Sequence, residues 1–227
     1  MRFLVLGRGK TGSLVAEAAR HRKHHVEVLP AAENLDGAGL TPKRLQSIDV
    51  VLDFTTPAAV LSNIEPCLAA RTSMVVGTTG WYEHVPAIQE KVLQAGIGFL
   101  YGANFSIGVN LFLDAAKAVA QAGRYDYHGQ IFERHHQHKK DAPSGTALIL
   151  QKCVQEAAGK ELEITSFREG EVVGLHELVF DSPNDRIYLC HDAKSRRGFA
   201  DGAVSAAEWL SSQRGFFEFS QIWRELA

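Results

Sequence analysis

Cysteines are few in this chain: Cys67, Cys153 and Cys190 are the only three among 227 residues, and no two of them are closely spaced. Disulfide frameworks and cysteine-based zinc sites depend on such pairs, so the sequence predicts neither, and we expect no metal site. Unpaired cysteines are typical of a reducing compartment. The sequence therefore predicts a cytoplasmic protein.

Long hydrophobic runs and an excess of one charge are also missing. The apolar run after Arg2 has four residues, too short for a signal peptide, and no segment reaches the roughly 20 residues of a membrane span, so we expect no membrane partner. The net charge is -2, which argues against a nucleic-acid partner. With 45% hydrophobic residues, the chain suits one large domain or two small ones.

An apolar segment at residues 3–6 leads directly into Gly7, Gly9 and Gly12, and an apolar-periodic segment follows at residues 14–19. This order of strand, glycine turn and helix is typical of a dinucleotide-binding unit. In such a unit the first glycine allows a tight turn and the second lets a pyrophosphate approach the backbone. The third permits the helix to pack closely on the strand.

A second strand-like segment, at residues 25–29, is followed by Glu33. A carboxylate roughly 20 residues beyond the glycines is typical of a ribose contact, although a solvated loop carboxylate is the open alternative. Further strands and helices alternate along the chain: we predict strands at 50–54, 74–76 and 98–100, and helices at 57–70 and 85–95. Alternation of this kind predicts an α/β fold with a parallel sheet that binds ligands at the carboxyl ends of its strands.

Reactive side chains are densest in residues 133–147, which read ERHHQHKKDAPSGTA. A strand over residues 129–136 would place Glu133 and His135 on one face and bring His135 to the strand end. The loop that follows would then bring Lys139 beside this histidine. We predict the active site here. A solvated histidine-rich loop and adventitious metal binding are the open alternatives.

A helix start follows these histidines and lysines. Residues 141–144 are typical of a helix N-terminus, and the helix itself is predicted over residues 145–158. Its first turn would direct the backbone amides of Ser144, Gly145 and Thr146 outward. Amides in that position can hold a carboxylate or a phosphate group.

In the carboxyl-terminal third of the chain, the sequence pattern predicts secondary structure and packing surfaces, and no catalytic residue. Strand-like segments at 175–180 and 186–191 flank a turn-forming segment at 181–185, which predicts an antiparallel hairpin. A helix is predicted over residues 199–210, and the aromatic residues within 216–223 are expected in a core or domain-packing surface. Apolar edges of the hairpin would need covering, so self-association is plausible.

Together these motifs resemble the dihydrodipicolinate reductases, also named 4-hydroxy-tetrahydrodipicolinate reductases, of the diaminopimelate route to lysine. The combination of histidines, lysines and DAPSGTA is the most specific part of the resemblance. Besides the glycine loop, the matching segments are VLDFTTP at 51–57, VVGTTGW at 75–81, ANFSIGVNL at 103–111, HHQHKKDAPSGTA at 135–147 and FADGAVSAAEWL at 199–210.

The resemblance implies NAD(P)H-dependent reduction of a small cyclic dicarboxylate. It assigns proton transfer to His135 and Lys139. It assigns substrate binding to His136, Gly145 and Thr146, next to the Ser144 amide. The cofactor contacts that it implies are Gly7, Arg8, Gly9, Lys10, Thr11, Gly12, Glu33, Gly77, Thr78, Thr79, Gly102, Ala103, Asn104 and Phe105.

The resemblance also implies two domains joined by hinges. A Rossmann-like parallel-sheet domain would occupy residues 1–106, completed by 197–227, and bind the dinucleotide. A smaller α+β domain with an open mixed sheet would occupy residues 107–196, bind the substrate and mediate oligomerisation. The family assembles homotetramers. The loop and strand that precede residues 165–176 in longer members are absent here, which leaves a dimer as the alternative.

Two departures from the family pattern concern the nucleotide. The glycine loop is one residue shorter than usual, with Lys10 and Thr11 where arginine and methionine are common. Asn34 follows Glu33, where many members carry an arginine suited to a 2′-phosphate. We predict that NADH is preferred or that both nucleotides are used, with Lys10 available to a 2′-phosphate.

Two other functions fit part of the pattern: a paralogous NAD(P)-dependent dehydrogenase of another small carboxylated imine or amino acid, and a non-catalytic nucleotide sensor. Nucleotide binding alone requires none of the polar residues in the segment 135–146. Their joint presence therefore favours the reductase.

Overall fold

The computed structural model describes residues 1–226 and divides into two compact units. The first unit comprises Met1–Ile107 and the residues from Arg197 onward, and the second comprises Gly108–Arg196. Ala227, the last residue of the segment predicted to complete the first domain, lies outside the described residues. Within residues 1–226, no helix is long and apolar enough to cross a membrane.

The first unit is built on a six-stranded sheet in which every neighbouring pair is parallel. Its strands are β1 (Arg2–Leu6), β2 (His25–Leu29), β3 (Val50–Asp53), β4 (Ser73–Val76), β5 (Gly98–Tyr101) and β10 (Gly215–Glu218), in the order β10-β5-β4-β3-β1-β2. The chain runs outward from β1 to β2 and then returns to β3 on the other side of β1. At such a switch point the loops diverge and leave a crevice for a ligand.

Helices cover both faces of this sheet, as a parallel sheet requires. They are α1 (Lys10–His21), α2 (Pro42–Leu45), α3 (Pro57–Ala69), α4 (Val85–Ala95), α7 (Arg197–Leu210) and α8 (Phe219–Ile222). Because side chains of a strand alternate, Phe3 of β1 belongs to one buried core and Leu4 to the other. Residues of α1 and α7 complete the first core, and residues of α3 and α4 complete the second.

The second unit contains a four-stranded mixed sheet in the order β7-β6-β8-β9. Its strands are β6 (His128–His135), β7 (Ile164–Arg168), β8 (Leu175–Asp181) and β9 (Arg186–Asp192). β7 is parallel to β6, whereas the other two pairs are antiparallel. Residues of α5 (Ile107–Val119) and α6 (Gly145–Ala158) pack with the inward side chains of β6 and β8 in one buried core.

Several predicted elements are confirmed. The α/β class with its parallel sheet and the 175–180/186–191 hairpin are present, and the helix over 145–158 has the predicted ends. The helix predicted over 199–210 begins two residues earlier and buries the expected face, Ala203, Ala206, Ala207 and Leu210. Five helices and strands were not predicted: α2, α5, α8, β7 and β10. The two strands are only five and four residues long and consist mostly of half-buried residues, so neither shows a clear two-residue period.

Candidate active site

The predicted glycine turn joins β1 to α1. Gly7 has φ +95°, in the left-handed region that favours glycine, which confirms the predicted tight turn. A Cβ added to Gly12 would lie 2.4 Å from the carbonyl oxygen of Gly7, so only glycine fits where the helix packs on this turn. Around Gly9, in contrast, no atom lies within 4 Å of an added Cβ. The start of α1 therefore faces open space, as an anion site at a helix N-terminus requires.

In the segment after β2, the neighbouring residues Glu33 and Asn34 have different environments: one side chain is exposed and the other is buried. Glu33 is exposed in a short 3-10 turn, where its carboxylate is free to accept hydrogen bonds from a ligand. Asn34 is buried, and its amide nitrogen donates to Oδ1 of Asn63 at 2.7 Å while its own Oδ1 accepts from the Gly39 amide at 3.1 Å. The residue after Glu33 therefore points into the unit. It offers no cation to a nucleotide phosphate.

A buried carboxylate connects this segment to the neighbouring strand ends. Asp53, the last residue of β3, is fully buried and accepts hydrogen bonds from Asn63 Nδ2 at 2.8 Å and from the Thr55 amide at 3.0 Å. Burial raises the pKa of this carboxyl group, although its hydrogen bonds oppose the rise. Since Asn63 also accepts from Asn34, one network joins the segment after β2 to the end of β3, and sequence reasoning did not identify it.

The two other predicted cofactor loops are only partly accessible. Thr79 and Ala103 are exposed, and Gly77 and Asn104 are half-buried. By contrast, Thr78 accepts a hydrogen bond from the Thr55 amide at 2.8 Å and is buried, and the Phe105 ring is fully buried in the core. Gly102 is also buried. The side chains of Thr78 and Phe105 therefore hold the loops in place, and the remaining residues form the accessible edge.

At the glycine loop, the described side chains show the same division. Arg8, Gly9 and Lys10 are exposed, Thr11 is half-buried, and Gly7 and Gly12 are buried. The exposed stretch therefore includes two cations beside the first turn of α1. An anionic group approaching that turn would meet both helix amides and positive charge.

In the second unit, the strand predicted over residues 129–136 is β6, and its inward face carries the predicted chemistry. Ile131, Glu133 and His135 are all buried, which confirms the predicted alternation. The Glu133 carboxylate accepts a hydrogen bond from Arg168 Nη2 at 2.7 Å, and it is in contact with His135 Nδ1 through its other oxygen. Burial works against the ionised carboxylate. The hydrogen bonds from Arg168 and His135 help to outweigh it and hold the pKa of Glu133 below its ordinary value.

His135 is surrounded by groups that act on it in opposite directions. Burial lowers the pKa of its imidazole, and the positive charges of Lys139 and Arg168 lower it further, whereas Glu133 opposes both effects. The net pKa lies below the ordinary value of histidine. The His176 ring lies edge-on to His135, with 5.2 Å between the ring centroids. A buried imidazole of this kind releases its proton readily near neutral pH.

The loop after β6 is organised by charge. Lys139 Nζ donates to both carboxylate oxygens of Asp141, at 2.8 and 2.9 Å, and this pairing holds the pKa of Asp141 below its usual range. Arg168 Nη2 also donates to the backbone oxygen of Asp141 at 2.6 Å. The arginine that contacts Glu133 therefore fastens the Lys139 loop as well. The sequence did not predict either role for Arg168 or Asp141.

The helix start has the predicted form. Ser144 precedes α6, and its Oγ accepts from the Ala147 amide at 3.2 Å and hydrogen bonds to His176 Nε2 at 3.1 Å. Gly145 is exposed, with no atom within 4 Å of an added Cβ, and Thr146 is half-buried. The amides of this first turn are thus available to an anion.

A further cation lies close to this segment. His136, half-buried at the end of β6, has its Nε2 3.5 Å from Nη2 of Arg196. No sequence pattern pointed to a role for Arg196. Arg196 and Lys139 are cations that this segment offers to an anionic ligand, and Lys139 is held in place by Asp141.

The register of strand pairing explains why Arg168 and His176 were not predicted as neighbours of Glu133 and His135. Arg168 of β7 lies opposite His135 of β6, and His176 of β8 lies opposite Glu133. The signal needed was the recognition of residues 164–168 as a strand parallel to β6. In the sequence, Arg168 and His176 lie more than thirty residues beyond Glu133 and His135.

One group of at least three possible metal ligands occurs among residues 1–226: Glu133, His135 and His176, whose ligand atoms lie within 4.8 Å of one another. His135 Nδ1 and Glu133 Oε2 contact each other, and the permanently charged Arg168 forms an ion pair with the other oxygen of Glu133. A second cation would be repelled at this position. The arrangement is better suited to proton transfer than to metal binding.

Acid should destabilise the second unit through His176. Burial, followed by the charge of His135, lowers the pKa of His176 to about 4, so the folded protein holds this ring neutral while the unfolded chain protonates near pH 6.5. This stabilisation is present above pH 6.5 and is lost progressively as the pH falls towards 4. Between about pH 7.5 and about pH 5 we expect a loss of about 2 kcal/mol in the free energy of unfolding.

Urea unfolding of the wild type and of the His176→Gln variant at both pH values would measure this effect. The variant should lose less stability on acidification than the wild type. An equal loss in both proteins would show that other groups control the acid response.

Comparison with known proteins gives a consistent picture. Residues 1–105 match the family model described as "Dihydrodipicolinate reductase, N-terminus", and residues 108–223 match "Dihydrodipicolinate reductase, C-terminus". The chain is 34% identical over 240 residues to the 4-hydroxy-tetrahydrodipicolinate reductase of Christiangramia forsetii, covering 100% of this chain and 99% of the relative. It is 37% identical over 203 residues to that of Laribacter hongkongensis, covering 78% and 74%.

Solved structures share the fold. The chain is similar to a dipicolinate-bound dihydrodipicolinate reductase from Paenisporosarcina sp. TG-14, with a TM-score of 0.80, 23% identity, and coverage of 98% of this chain and 99% of that one. It is also similar to an amine dehydrogenase from Mycobacterium smegmatis, with a TM-score of 0.62, 9% identity, and coverage of 97% and 95%. At these identities the likeness concerns the fold alone.

Proposed function

The chain belongs to the dihydrodipicolinate reductase family, and we infer that it reduces 4-hydroxy-tetrahydrodipicolinate to tetrahydrodipicolinate with NAD(P)H in the diaminopimelate route to lysine. The observation that carries this inference is the constellation at the end of β6. A buried histidine with a carboxylate partner, a lysine and an open helix start lie in one short segment there. Nucleotide binding alone needs none of these groups.

The first unit fits a dinucleotide. The first-turn amides of α1 and the open space around Gly9 would take the pyrophosphate, and the exposed Glu33 carboxylate would accept hydrogen bonds from a ribose. The accessible residues of the loops after β4 and β5, among them Thr79 and Ala103, would contact the rest of the cofactor. When bound, NAD(P)H supplies the hydride.

The second unit fits a dicarboxylate. The free amides at Gly145 and Thr146 would hold one carboxylate, and the cations Lys139 and Arg196, with His136, would attract the other. Permanent positive charge and oriented amides cost little reorganisation when an anion binds. These contacts would fix the ring for reaction.

Proton delivery falls to His135. Reduction adds one hydride and one proton to the substrate, and its hydroxyl group leaves as water. The Nδ1 atom of His135 faces Glu133, so Nε2 is the atom left to hand over a proton. Lys139 would serve as a second proton donor and would stabilise the negative charge that the incoming hydride pushes into the ring.

For the nucleotide, we propose that NADH is preferred or that both forms are used. Asn34 is buried and engaged with Asn63, so it offers nothing to a 2′-phosphate, and the neighbouring Glu33 carboxylate repels one. Lys10 is exposed at the start of α1 and is the residue available to attract it. We expect the Lys10→Ala variant to lose roughly fivefold in kcat/KM for NADPH and little for NADH, since an exposed ion pair contributes about 1 kcal/mol. An equal loss for both nucleotides would assign Lys10 to the shared pyrophosphate.

The reductase activity is tested by following NADH and NADPH oxidation, with the substrate generated in situ by the preceding synthase from pyruvate and aspartate semialdehyde. Oxidation that requires both synthase substrates is the expected result, and it gives the cofactor ratio directly. If NADH binds and is not oxidised, the activity belongs to a paralogous dehydrogenase or to a sensor.

We also propose that the chain forms a homo-oligomer through the sheet of the second unit. Phe167 and Tyr188 lie on strands of this sheet and are 39% and 55% exposed, so the sheet offers large apolar side chains to a second copy of the chain. Light scattering should therefore report a dimer or a tetramer. A monomer at micromolar concentration would contradict this proposal.

A further inference from the structure

We propose that Glu133 is a positioning residue for His135: it accepts the Nδ1 proton and so fixes the imidazole in the tautomer whose Nε2 exchanges protons with the substrate. This inference rests on the proposed function, because His135 is the proton donor there. It assigns a role to a residue that does not contact the substrate in the proposed function and that nucleotide binding does not require.

The geometry of β6 provides the contact. Glu133 and His135 are two residues apart on one strand, so their side chains lie on the same, buried face. Glu133 is 0% exposed, and one carboxylate oxygen contacts His135 Nδ1. The strand therefore holds the acceptor beside this one ring nitrogen.

Arg168 fixes the other end of the carboxylate. Its Nη2 donates to Oε1 of Glu133 at 2.7 Å, while His135 takes Oε2. The same nitrogen also donates to the backbone oxygen of Asp141 at 2.6 Å, so the guanidinium is itself anchored. Held at both oxygens, the carboxylate cannot turn away from the imidazole without losing a buried ion pair.

The charge state of Glu133 decides the tautomer. An ionised carboxylate has no proton to donate and can only accept. Despite burial, the hydrogen bonds from Arg168 and His135 help to keep the pKa of Glu133 below its ordinary value, so it is ionised at neutral pH. Nδ1 must then carry a proton in both states of the ring, and Nε2 becomes the site that gains and loses one.

Among residues 1–226, Glu133 is the neighbour whose negative charge raises the pKa of His135. Arg168 faces it from β7, His176 from β8 and Lys139 from the following loop, and the charges of Lys139 and Arg168 lower its pKa. Since Glu133 alone raises that pKa, its removal should make the imidazolium harder to form. Activity that needs the protonated ring should then fall at a lower pH.

The test uses the Glu133→Gln variant of the full-length enzyme, which keeps the shape and removes the charge. We expect kcat to fall at least about tenfold, while KM for the dicarboxylate and the affinity for NADH stay within about twofold. The decline of kcat with rising pH should move to lower pH. The Glu133→Asp variant, which keeps the charge, should recover part of kcat and most of the wild-type pH profile.

Glu169→Gln is the matched control. Glu169 lies one residue beyond β7, and its exposed carboxylate forms an ion pair with Arg134, whose side chain is on the face of β6 opposite to that of Glu133 and His135. The substitution therefore removes a paired carboxylate that does not contact His135 through its side chain. It should leave kcat and the pH profile of the enzyme unchanged.

A second measurement is independent of turnover. In protein labelled with 15N-histidine, long-range 1H–15N spectra should show neutral His135 protonated at Nδ1 in the wild type, and shifted towards Nε2–H in the Glu133→Gln variant. Protonation at Nε2 in the wild type, or a variant with wild-type kcat and pH profile, would overturn the inference. If the wild type fails to oxidise NAD(P)H, the proposed function fails, and the spectra still decide which nitrogen Glu133 controls.

Discussion

Replacing His135 by glutamine should lower kcat at least about 100-fold and leave the affinity for NADH unchanged. The substitution removes the group proposed to exchange a proton, whereas the residues proposed to bind the nucleotide belong to the other unit of the chain. Lys139→Met should lower kcat by a similar factor and also raise KM for the dicarboxylate, because it removes a cation proposed to bind the substrate as well as a proposed proton donor. Steady-state kinetics and NADH fluorescence titration measure the two effects separately.

Matched controls exist on the same elements. His128→Gln changes an exposed histidine at the opposite end of β6, and Lys140→Met changes the exposed lysine next to Lys139. Both controls should keep wild-type kcat. If His135→Gln and Lys139→Met instead weakened NADH binding as much as they lowered kcat, residues 133–147 would have a structural role and no direct part in the chemistry.

Gly12→Ala should disrupt nucleotide binding and the fold together. The added methyl group would lie 2.4 Å from the Gly7 carbonyl oxygen, a backbone atom that cannot rotate away, so α1 must move off the sheet. We expect at least about 2 kcal/mol of destabilisation and at least about a tenfold loss of NADH affinity. Urea unfolding and fluorescence titration would measure both quantities.

The Gly9→Ala variant separates the effect on nucleotide binding from the effect on stability. No protein atom lies within 4 Å of the added methyl group, so the free energy of unfolding should stay within about 0.5 kcal/mol of the wild type. NADH affinity should still fall roughly tenfold, because the methyl group would occupy the space assigned to the pyrophosphate. Gly198→Ala, also with open space around the added atom, is the control: it should leave NADH affinity unchanged and should not lower the free energy of unfolding, because alanine is the better helix former. Unchanged NADH affinity in Gly9→Ala would place the pyrophosphate elsewhere.

Much of this architecture could be predicted because local patterns and tertiary structure agree. Residues 145–158 combine a capping serine with a following glycine at Gly159, which has φ +73°, so both helix ends are encoded locally. β6 alternates buried and half-buried side chains over most of its length, and this places His135 correctly. Such signals do not depend on distant segments of the chain.

The supporting residues could not be predicted because their signals are tertiary. Arg168 and His176 meet the Glu133–His135 pair only through the register of β7 and β8 on either side of β6. Asn34 was interpreted only as the residue that replaces a common arginine after Glu33, and nothing in the sequence indicated that its amide faces inward to Asn63. A polar residue beside a predicted ligand contact looks the same in sequence whether it faces solvent or completes a buried network.

The strand order of the first unit has a consequence for synthesis on the ribosome. The edge of β5 is paired by β10, which follows about 110 residues later, after the whole second unit. At ordinary elongation rates this edge would remain unpaired for roughly ten seconds while the second unit emerges and folds. A nascent chain in that interval presents an apolar strand edge to its surroundings. Chaperone capture should therefore be strongest for chains stalled between β5 and β10, and ribosome profiling of chaperone-bound nascent chains would reveal it.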